Sequence, residues 1–81
     1  MSDQSIFERI NDLAAEEERL WQLAGGGAGM SGTQHERLEA IQVELDQCYD
    51  LLHQREARRS AGLDPDAAKV RPPEVVERYQ Q

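Results

Sequence analysis

The sequence predicts an all-α protein: an antiparallel two-helix hairpin with a short C-terminal helical tail, assembled with a second copy into a dimeric four-helix bundle. Two long segments repeat apolar residues at alternating spacings of three and four, the period of helices that pack along a coiled-coil seam. A glycine-rich stretch separates these segments, and no run of residues has the alternation of a strand. A chain of 81 residues suffices for one small domain, so we expect a single domain over 1–81.

Helix 1 is predicted over 3–24, because this segment contains no Gly or Pro and carries one apolar stripe. Either Ser2 or Asp3 can cap its first turn. The following stretch, 25–32, holds most of the chain's six glycines, which makes any regular element there unfavourable. It is therefore predicted to be a flexible loop. The stripe of helix 1 is formed by Ile6, Ile10, Leu13 and Leu20.

Helix 2 is predicted over 34–61. Thr33 and Glu36 match a capping box, in which the Thr hydroxyl accepts from the amide three residues on and the Glu carboxylate reaches back. Gly62 is suited to end the helix, because glycine adopts the left-handed conformation of many helix C-termini. The stripe of helix 2 is formed by Leu38, Ile41, Leu45, Cys48 and Leu52.

Other apolar residues of helix 2 lie off the centre of this stripe. Tyr49 widens the stripe on one side. Val43 and Leu51 lie away from its centre and are expected to stay partly exposed unless another surface covers them. The surplus of apolar residues predicts a second contact surface on helix 2.

The tail, 62–81, is predicted to contain two short helical pieces interrupted by proline. Asp64, followed by Pro65 at the first helical position, predicts a turn that runs to Val70. A second piece over 74–81 is so short that it needs a surface to lie on. Its apolar side would be formed by Val75, Val76 and Tyr79.

The small amount of apolar material predicts self-association. Leu, Val, Ile and Phe make up about a fifth of the chain, a level at which chains barely fold alone. A four-helix bundle buries both stripes on more sides and also covers Phe7. Alternatively, a larger protein supplies the missing surface, and the purified chain would then be poorly folded. The predicted interface consists of Ile6, Ile10, Leu13, Leu20, Trp21, Leu38, Ile41, Leu45, Cys48, Tyr49 and Leu52.

The charge and cysteine content exclude several classes of partner. The formal net charge is −7, which repels phosphate and anionic lipid, so we predict no nucleic-acid or membrane partner. The one cysteine cannot form an internal disulfide, which fits a reducing compartment. No uninterrupted apolar run has the length of a signal peptide or a membrane span. We therefore expect a cytoplasmic protein.

Two motifs that suggest ligand binding have simpler interpretations. Residues 27–32 match G-x-G-x-x-G, but the dinucleotide motif must follow a strand, and here a helix precedes it. Asp46, Asp50 and His53 share one helical face, yet di-iron carboxylate bundles need a Glu-x-x-His pair on each of two helices. Helix 1 has no histidine. A flexible linker and a solvated acidic face are the favoured interpretations, and no metal or cofactor is predicted.

The polar residues on or near the seam are few. Glu17 interrupts the stripe of helix 1, and it is a candidate to pair with Arg55 or Arg59 of a neighbouring helix or to specify register. Arg58 completes a basic spot that balances carboxylates or the helix dipole. Cys48 has no basic residue within a turn and is interpreted as a small buried hydrophobe. No catalytic residue is predicted.

The favoured function is therefore a non-enzymatic, self-associating helical hairpin that acts as a protein-interaction module and offers an acidic surface to another protein. The alternative is a small ligand- or metal-binding helical enzyme that uses the dimer groove. An enzyme needs polar groups that converge at the seam, and only Glu17, Arg55 and Arg59 qualify.

Several segments in the second half of the chain carry a resemblance: residues 44–59, with Leu-Asp-Gln-Cys at 45–48, then Gly62, Asp-Pro-Asp at 64–66 and Lys-Val-Arg-Pro at 69–72. Together they resemble a family of small actinobacterial proteins catalogued as a domain of unknown function. The resemblance spans nearly all of the chain. The sequence departs from the family in its glycine-rich loop and in Tyr49, where the resemblance implies Trp. It implies a cytoplasmic bacterial protein and brings no activity or site residue with it.

Overall fold

The computed structural model describes residues 2–25, 29 and 31–78, and these contain helices and no strand. The prediction of an all-helical chain is therefore confirmed for these residues. The predicted loop, 25–32, includes residues 26–28 and 30, which lie outside the described part. In chain order the elements are α1 (Asp3–Leu23), α2 (Gly32–Ser60), a 3-10 helix (Pro65–Ala67) and α3 (Pro73–Arg78).

Helix α1 begins at a reciprocal cap. The Ser2 hydroxyl accepts from the Ser5 amide at 3.1 Å, and the Ser5 hydroxyl accepts from the Ser2 amide at 3.2 Å. Of the two caps considered from the sequence, Ser2 is the one used. The helix ends at Leu23, one residue earlier than predicted, with Ala24 as its C-cap and Gly25 at a φ of 61°.

Helix α2 begins two residues before the predicted start, and the predicted capping box at Thr33 is wrong. Ser31 is the N-cap: its hydroxyl accepts from the Gln34 amide at 3.1 Å, and the Gln34 side-chain oxygen accepts from the Ser31 amide at 2.8 Å. Both Ser31 and Thr33 have a suitable residue three positions on. The upstream cap prevails because it adds helical hydrogen bonds, such as that from the His35 amide to the Ser31 carbonyl at 2.9 Å.

The end of α2 agrees with the prediction for Gly62. This residue has a φ of 73°, and its amide donates to the Arg59 carbonyl at 3.1 Å. The Leu63 amide donates to the Arg58 carbonyl at 2.8 Å, which completes a Schellman motif. The helix itself ends at Ser60, one residue before the predicted end.

The tail forms two short helices, as predicted, with shorter bounds. The Asp64 carboxylate accepts from the Asp66 amide at 2.9 Å and caps the 3-10 helix, which ends at Ala67 rather than at Val70. Helix α3 covers the first part of the predicted piece over 74–81. Tyr79, placed on its apolar side from the sequence, lies outside the described residues.

All other elements pack on α2, which lies at the centre of the described structure. Ion pairs join α1 and α2 in opposite sequence order: Asp3 with Arg55 and Arg59, Arg9 with Glu44 and Glu16 with Arg37. The two helices therefore run antiparallel. The apolar core consists of Ile6, Ile10, Leu13, Ala24, Leu38, Ile41, Leu51 and Val76.

The burial of Leu51 shows what covers an apolar residue off the centre of the α2 stripe. The sequence predicts Leu51 to stay partly exposed unless another surface covers it, and it is only 4% exposed in a core cluster with Ile6 and Ile10. Ala68, from the segment after the 3-10 helix, packs on the same cluster. Leu51 is thus covered from two sides by parts of its own chain. Val43 is half-buried, in line with the prediction.

Candidate functional site

The residues predicted to form an interface divide into three groups by exposure. The fully buried ones form the chain's own core: Ile6, Ile10, Leu13, Leu38 and Ile41. The half-buried ones are Leu20, Leu45, Cys48 and Leu52. The exposed ones are Trp21 and Tyr49. Only the second and third groups present surface that another molecule can contact.

One broad side of the α1–α2 pair carries exposed aromatic residues. Phe7, Trp21 and Tyr49 are 51%, 42% and 48% exposed. Phe7 and Trp21 are separated by two heptads and so lie on the same side of α1. Leu45 and Leu52 are four residues before and three residues after Tyr49, so they lie on its side of α2. We call this surface, formed by these five residues, the open face.

The opposite broad side of α2 is partly covered by the chain. Gln47 is two positions from Tyr49 and therefore lies about 200° around the helix from it. Its side-chain amide donates to the Arg71 carbonyl at 3.1 Å, and the side-chain amide of Gln54 donates to the Lys69 carbonyl at 2.9 Å. These bonds hold the segment before α3 against the side of α2 away from the open face.

A pocket of about 410 Å³ lies on this covered side, between α1, α2 and the segment before α3. Its apolar lining comes from Ile6, Ala40, Leu51 and Val70. Arg9, which also lines the pocket, is two positions from Phe7, so the pocket and the open face lie on opposite sides of α1 as well.

The polar groups of the pocket are paired or neutral. Arg9 binds Glu44 through two nitrogens, with 2.8 Å between its Nη2 and Oε1 of Glu44. The Arg9 guanidinium holds the pKa of the Glu44 carboxyl below its ordinary value, so this carboxyl is ionised at neutral pH. Burial raises the pKa of the Cys48 thiol, which keeps it protonated and a poor nucleophile. Cys48, interpreted from the sequence as a small buried hydrophobe, is half-buried in the structure.

A second polar cluster joins the start of α1 to the end of α2. Arg55 is only 5% exposed and binds Asp3 and, at 3.0 Å, Asp66. Arg59 binds the other oxygen of Asp3 at 2.8 Å. The hydrogen bond from Arg55 holds the pKa of the Asp3 carboxyl below its ordinary value. The partner of both arginines within the chain is thus Asp3 and not Glu17, because the antiparallel arrangement puts Glu17 near the start of α2.

The face proposed from the sequence as a possible metal site is divided among other contacts. Asp46 lies beside Glu77 of α3, and the hydrogen bond that a protonated Glu77 can donate to it raises the pKa of the Glu77 carboxyl. Asp50 pairs with Arg71 at 3.4 Å, and His53 is exposed. Within the described ranges no three His, Cys, Asp or Glu side chains are grouped as metal ligands would be.

The glycine motif at 27–32, interpreted as a linker, includes residues 27, 28 and 30, which lie outside the described residues.

In the part of the chain that the structure describes, none of the helices combines the length and the apolar character needed to cross a membrane.

Comparison with known proteins identifies relatives over the whole length. The chain matches the model of a family described as "Protein of unknown function (DUF2630)" over residues 2–81. An uncharacterised protein of Mycobacterium bovis and one of Mycobacterium tuberculosis are each 48% identical to it over 79 residues. The alignment covers 96% of this chain and 90% of each relative. No solved structure gives a significant match.

Proposed function

The chain belongs to the family described as Protein of unknown function (DUF2630), and we propose that it is a non-enzymatic helical hairpin that self-associates and acts as a protein-interaction module. The resemblance to a family of small proteins of unknown function seen in the sequence is thereby confirmed. In the proposed assembly, a single domain of two antiparallel helices pairs with a second copy to form a four-helix bundle in the cytoplasm.

The exposure of large apolar side chains on the open face is the observation that supports this proposal. Phe7, Trp21 and Tyr49 each leave about half of their surface in water, and exposed apolar patches of this kind mark contact sites. Aromatic residues are also enriched in the cores of protein interfaces. Leu45 and Leu52 pack on the core with one side and leave the other side available. A second copy would cover all five residues.

The dimensions of the chain are sufficient for a stable dimer. The molecule measures 49 × 25 × 15 Å, so it is a flat layer with two broad sides. A stable interface buries about 800 Å² on each partner, which is less than the area of one broad side. The open face occupies the side that the tail leaves uncovered, so a second copy can approach it without displacing the tail.

The net charge of −7 gives the proposed assembly a distinct salt dependence. A second copy brings the same negative charge, and dissolved ions screen the repulsion between the two. We therefore expect association to strengthen as salt is raised. The remaining acidic surface is proposed to contact a further protein partner of basic character.

The arrangement of the arginines supports the non-enzymatic role over the alternative of a small ligand- or metal-binding enzyme in the dimer groove. That alternative needs convergent polar groups, and Arg55 and Arg59 are two of the three candidates. Both are engaged by Asp3 within the chain, so neither is available to hold a substrate without breaking this contact.

Light scattering over a concentration series tests self-association. The native chain is expected to have twice its 9.2 kDa mass, and a double variant, Trp21→Lys with Tyr49→Lys, is expected to have the monomer mass. Leu23→Lys is the matched control, because Leu23 is exposed on α1 but two positions from Trp21 and thus on the other side. A native chain of monomer mass that is stably folded would contradict the proposal.

Leu45→Asp tests whether folding and association depend on the same residues. Leu45 packs on the core cluster and borders the open face, so we expect the variant to lose mass and helicity together. A variant that stays helical and keeps the mass of the dimer would contradict the proposed interface.

A thermal-shift screen with metals and phosphorylated metabolites tests the enzyme alternative, which a specific stabilisation of several degrees would favour.

A further inference from the structure

We propose that the pocket between α1, α2 and the segment before α3 binds an uncharged, mainly apolar small molecule that carries one hydrogen-bond donor. The pocket of about 410 Å³ is within the size range of small-molecule sites. It lies on the side of the molecule opposite the open face, so this inference does not depend on self-association.

The apolar lining of the pocket provides the driving force for binding. Ile6 and Leu51 form a deep apolar surface that belongs to the core. Val70 lines the same pocket but is 53% exposed, so a ligand seated there would remove apolar surface from water. Val70 belongs to the segment that Gln47 holds in place through the Arg71 carbonyl. The pocket is thus built by side-chain-to-backbone bonds as well as by packing.

The charges in the pocket favour a neutral ligand. Arg9 and Glu44 bind one another through two pairs of atoms, so together they present little net charge. An anion would have to displace Glu44 from Arg9, and a cation would have to displace Arg9 from Glu44. Either displacement breaks both hydrogen bonds of this partly exposed pair, and the incoming ion must also give up its own hydration to enter a mainly apolar pocket. A neutral molecule can bind without displacing Arg9 from Glu44.

A single polar group in the pocket accounts for the hydrogen-bond donor on the ligand. The nitrogen of the Gln47 side-chain amide donates to Arg71, which leaves the amide oxygen as an acceptor. The Ser5 hydroxyl already accepts from the Ser2 amide at 3.2 Å and donates to the Ser2 carbonyl at 2.8 Å. A ligand hydroxyl or N–H group can therefore be accepted by Gln47, and the rest of the ligand can contact the apolar lining.

Three naphthalene derivatives of similar shape test the proposal: one with a hydroxymethyl group, one with a carboxylate and one with an aminomethyl group. Each is titrated into the full-length chain and followed by amide NMR spectra. The hydroxymethyl compound is expected to shift the amides of residues 5–9, 44–51 and 68–71. The charged compounds are expected to bind about tenfold or more weakly, because a charged group loses hydration when it enters a mainly apolar pocket.

Ala40→Phe is expected to fill the pocket and abolish these shifts, while Ala57→Phe, the same change at another exposed position of α2, preserves them. The bound compound is also expected to slow alkylation of Cys48.

Tighter binding of the carboxylate, or equal binding by all three compounds, would overturn the assignment of a neutral ligand. Shifts confined to the surroundings of Trp21 and Tyr49, or no shifts at all, would overturn the site. Repeating the titration on the monomeric double variant separates loss of binding from loss of association.

Discussion

The two contacts made by α2, with α1 on one side and with α3 on the other, are built differently. Helix α1 has 21 residues and shares an apolar core with α2 along its length, including Ile10 and Ile41. Helix α3 has six residues, and among 73–77, where burial is described, Val76 is the buried one. A helix of that length is not stable in isolation, so α3 exists because α2 supplies its surface. The comparison separates an element that defines the core from one that is attached to it.

The two contacts also differ in the sign of their dependence on pH. Across α1 and α2 the arginines lower the pKa of Asp3, Glu16 and Glu44. Across α2 and α3 the hydrogen bond to Asp46 raises the pKa of Glu77. Ionised carboxylates therefore stabilise the first contact, and a protonated carboxyl stabilises the second.

The largest effect is expected for the core between α1 and α2. Ile41→Ala removes the most deeply buried side chain and is expected to cost about 2–5 kcal/mol of unfolding free energy, measured by urea denaturation. Val76→Ala is the matched change in α3 and is expected to alter global stability much less while increasing amide exchange in α3. Equal losses for the two variants would show that α3 belongs to the same cooperative unit as the core.

A smaller effect is expected for the buried arginine. Arg55→Met removes one of the two arginines that bind Asp3 and the arginine that binds Asp66, and it should lower the melting temperature because Arg55 is buried where these groups meet. Arg37→Met is the control, since its pair with Glu16 lies at the exposed surface and water can replace it. If both variants melt at the same temperature, the burial of Arg55 has no energetic consequence.

Acidification is expected to weaken the α1–α2 contact. Folded-state pKa values below the ordinary 3.8 of Asp and 4.5 of Glu mean that this stabilisation is present above those values and lost as pH falls through the folded values. Melting temperatures measured from neutral to acidic pH should fall in that range. Glu44→Gln, which cannot ionise, should show a weaker dependence on pH. An identical dependence in this variant would count against a contribution from Glu44.

The smallest effect is expected at α3, with the opposite sign. The pKa of Glu77 lies above its ordinary value of 4.5, so its contribution is present below that value and lost as pH rises through the folded pKa. In Glu77→Gln the side-chain amide donates to Asp46 at every pH. Amide exchange in α3 should therefore no longer depend on the titration of residue 77. Glu74→Gln, an exposed change in the same helix, should retain the native pH profile. A native profile in Glu77→Gln would assign the dependence to another group.

The ends of the helices show how far local sequence reasoning reaches. Asp64 and Gly62 are each predicted and each observed in their capping roles, and Ser2 is one of the two caps considered for α1, because a cap depends on residues within one turn. The start of α2 is the exception. Ser31 and Thr33 offer competing caps, and the sequence alone does not rank a helix that is one half-turn longer against one that is shorter.

The candidate site was only partly accessible to the same reasoning. Tyr49 and Trp21 are identified from the sequence as interface residues, and the structure leaves them exposed. The pocket was missed, because it requires Arg9, Gln47 and Val70 to meet from three separate parts of the chain. No regular spacing links these residues, so no periodicity could have placed them together.

The sequence by itself determined the helical character, the bounds of the two long helices to within about two residues and the position of most caps, since these depend on spacing and neighbouring side chains. The tertiary structure alone decided that Leu51 is buried and that Asp3 is the carboxylate bound by Arg55. The physical reason is that the register between two helices depends on contacts between residues distant in sequence. Those contacts form only when α1 and the tail close over α2.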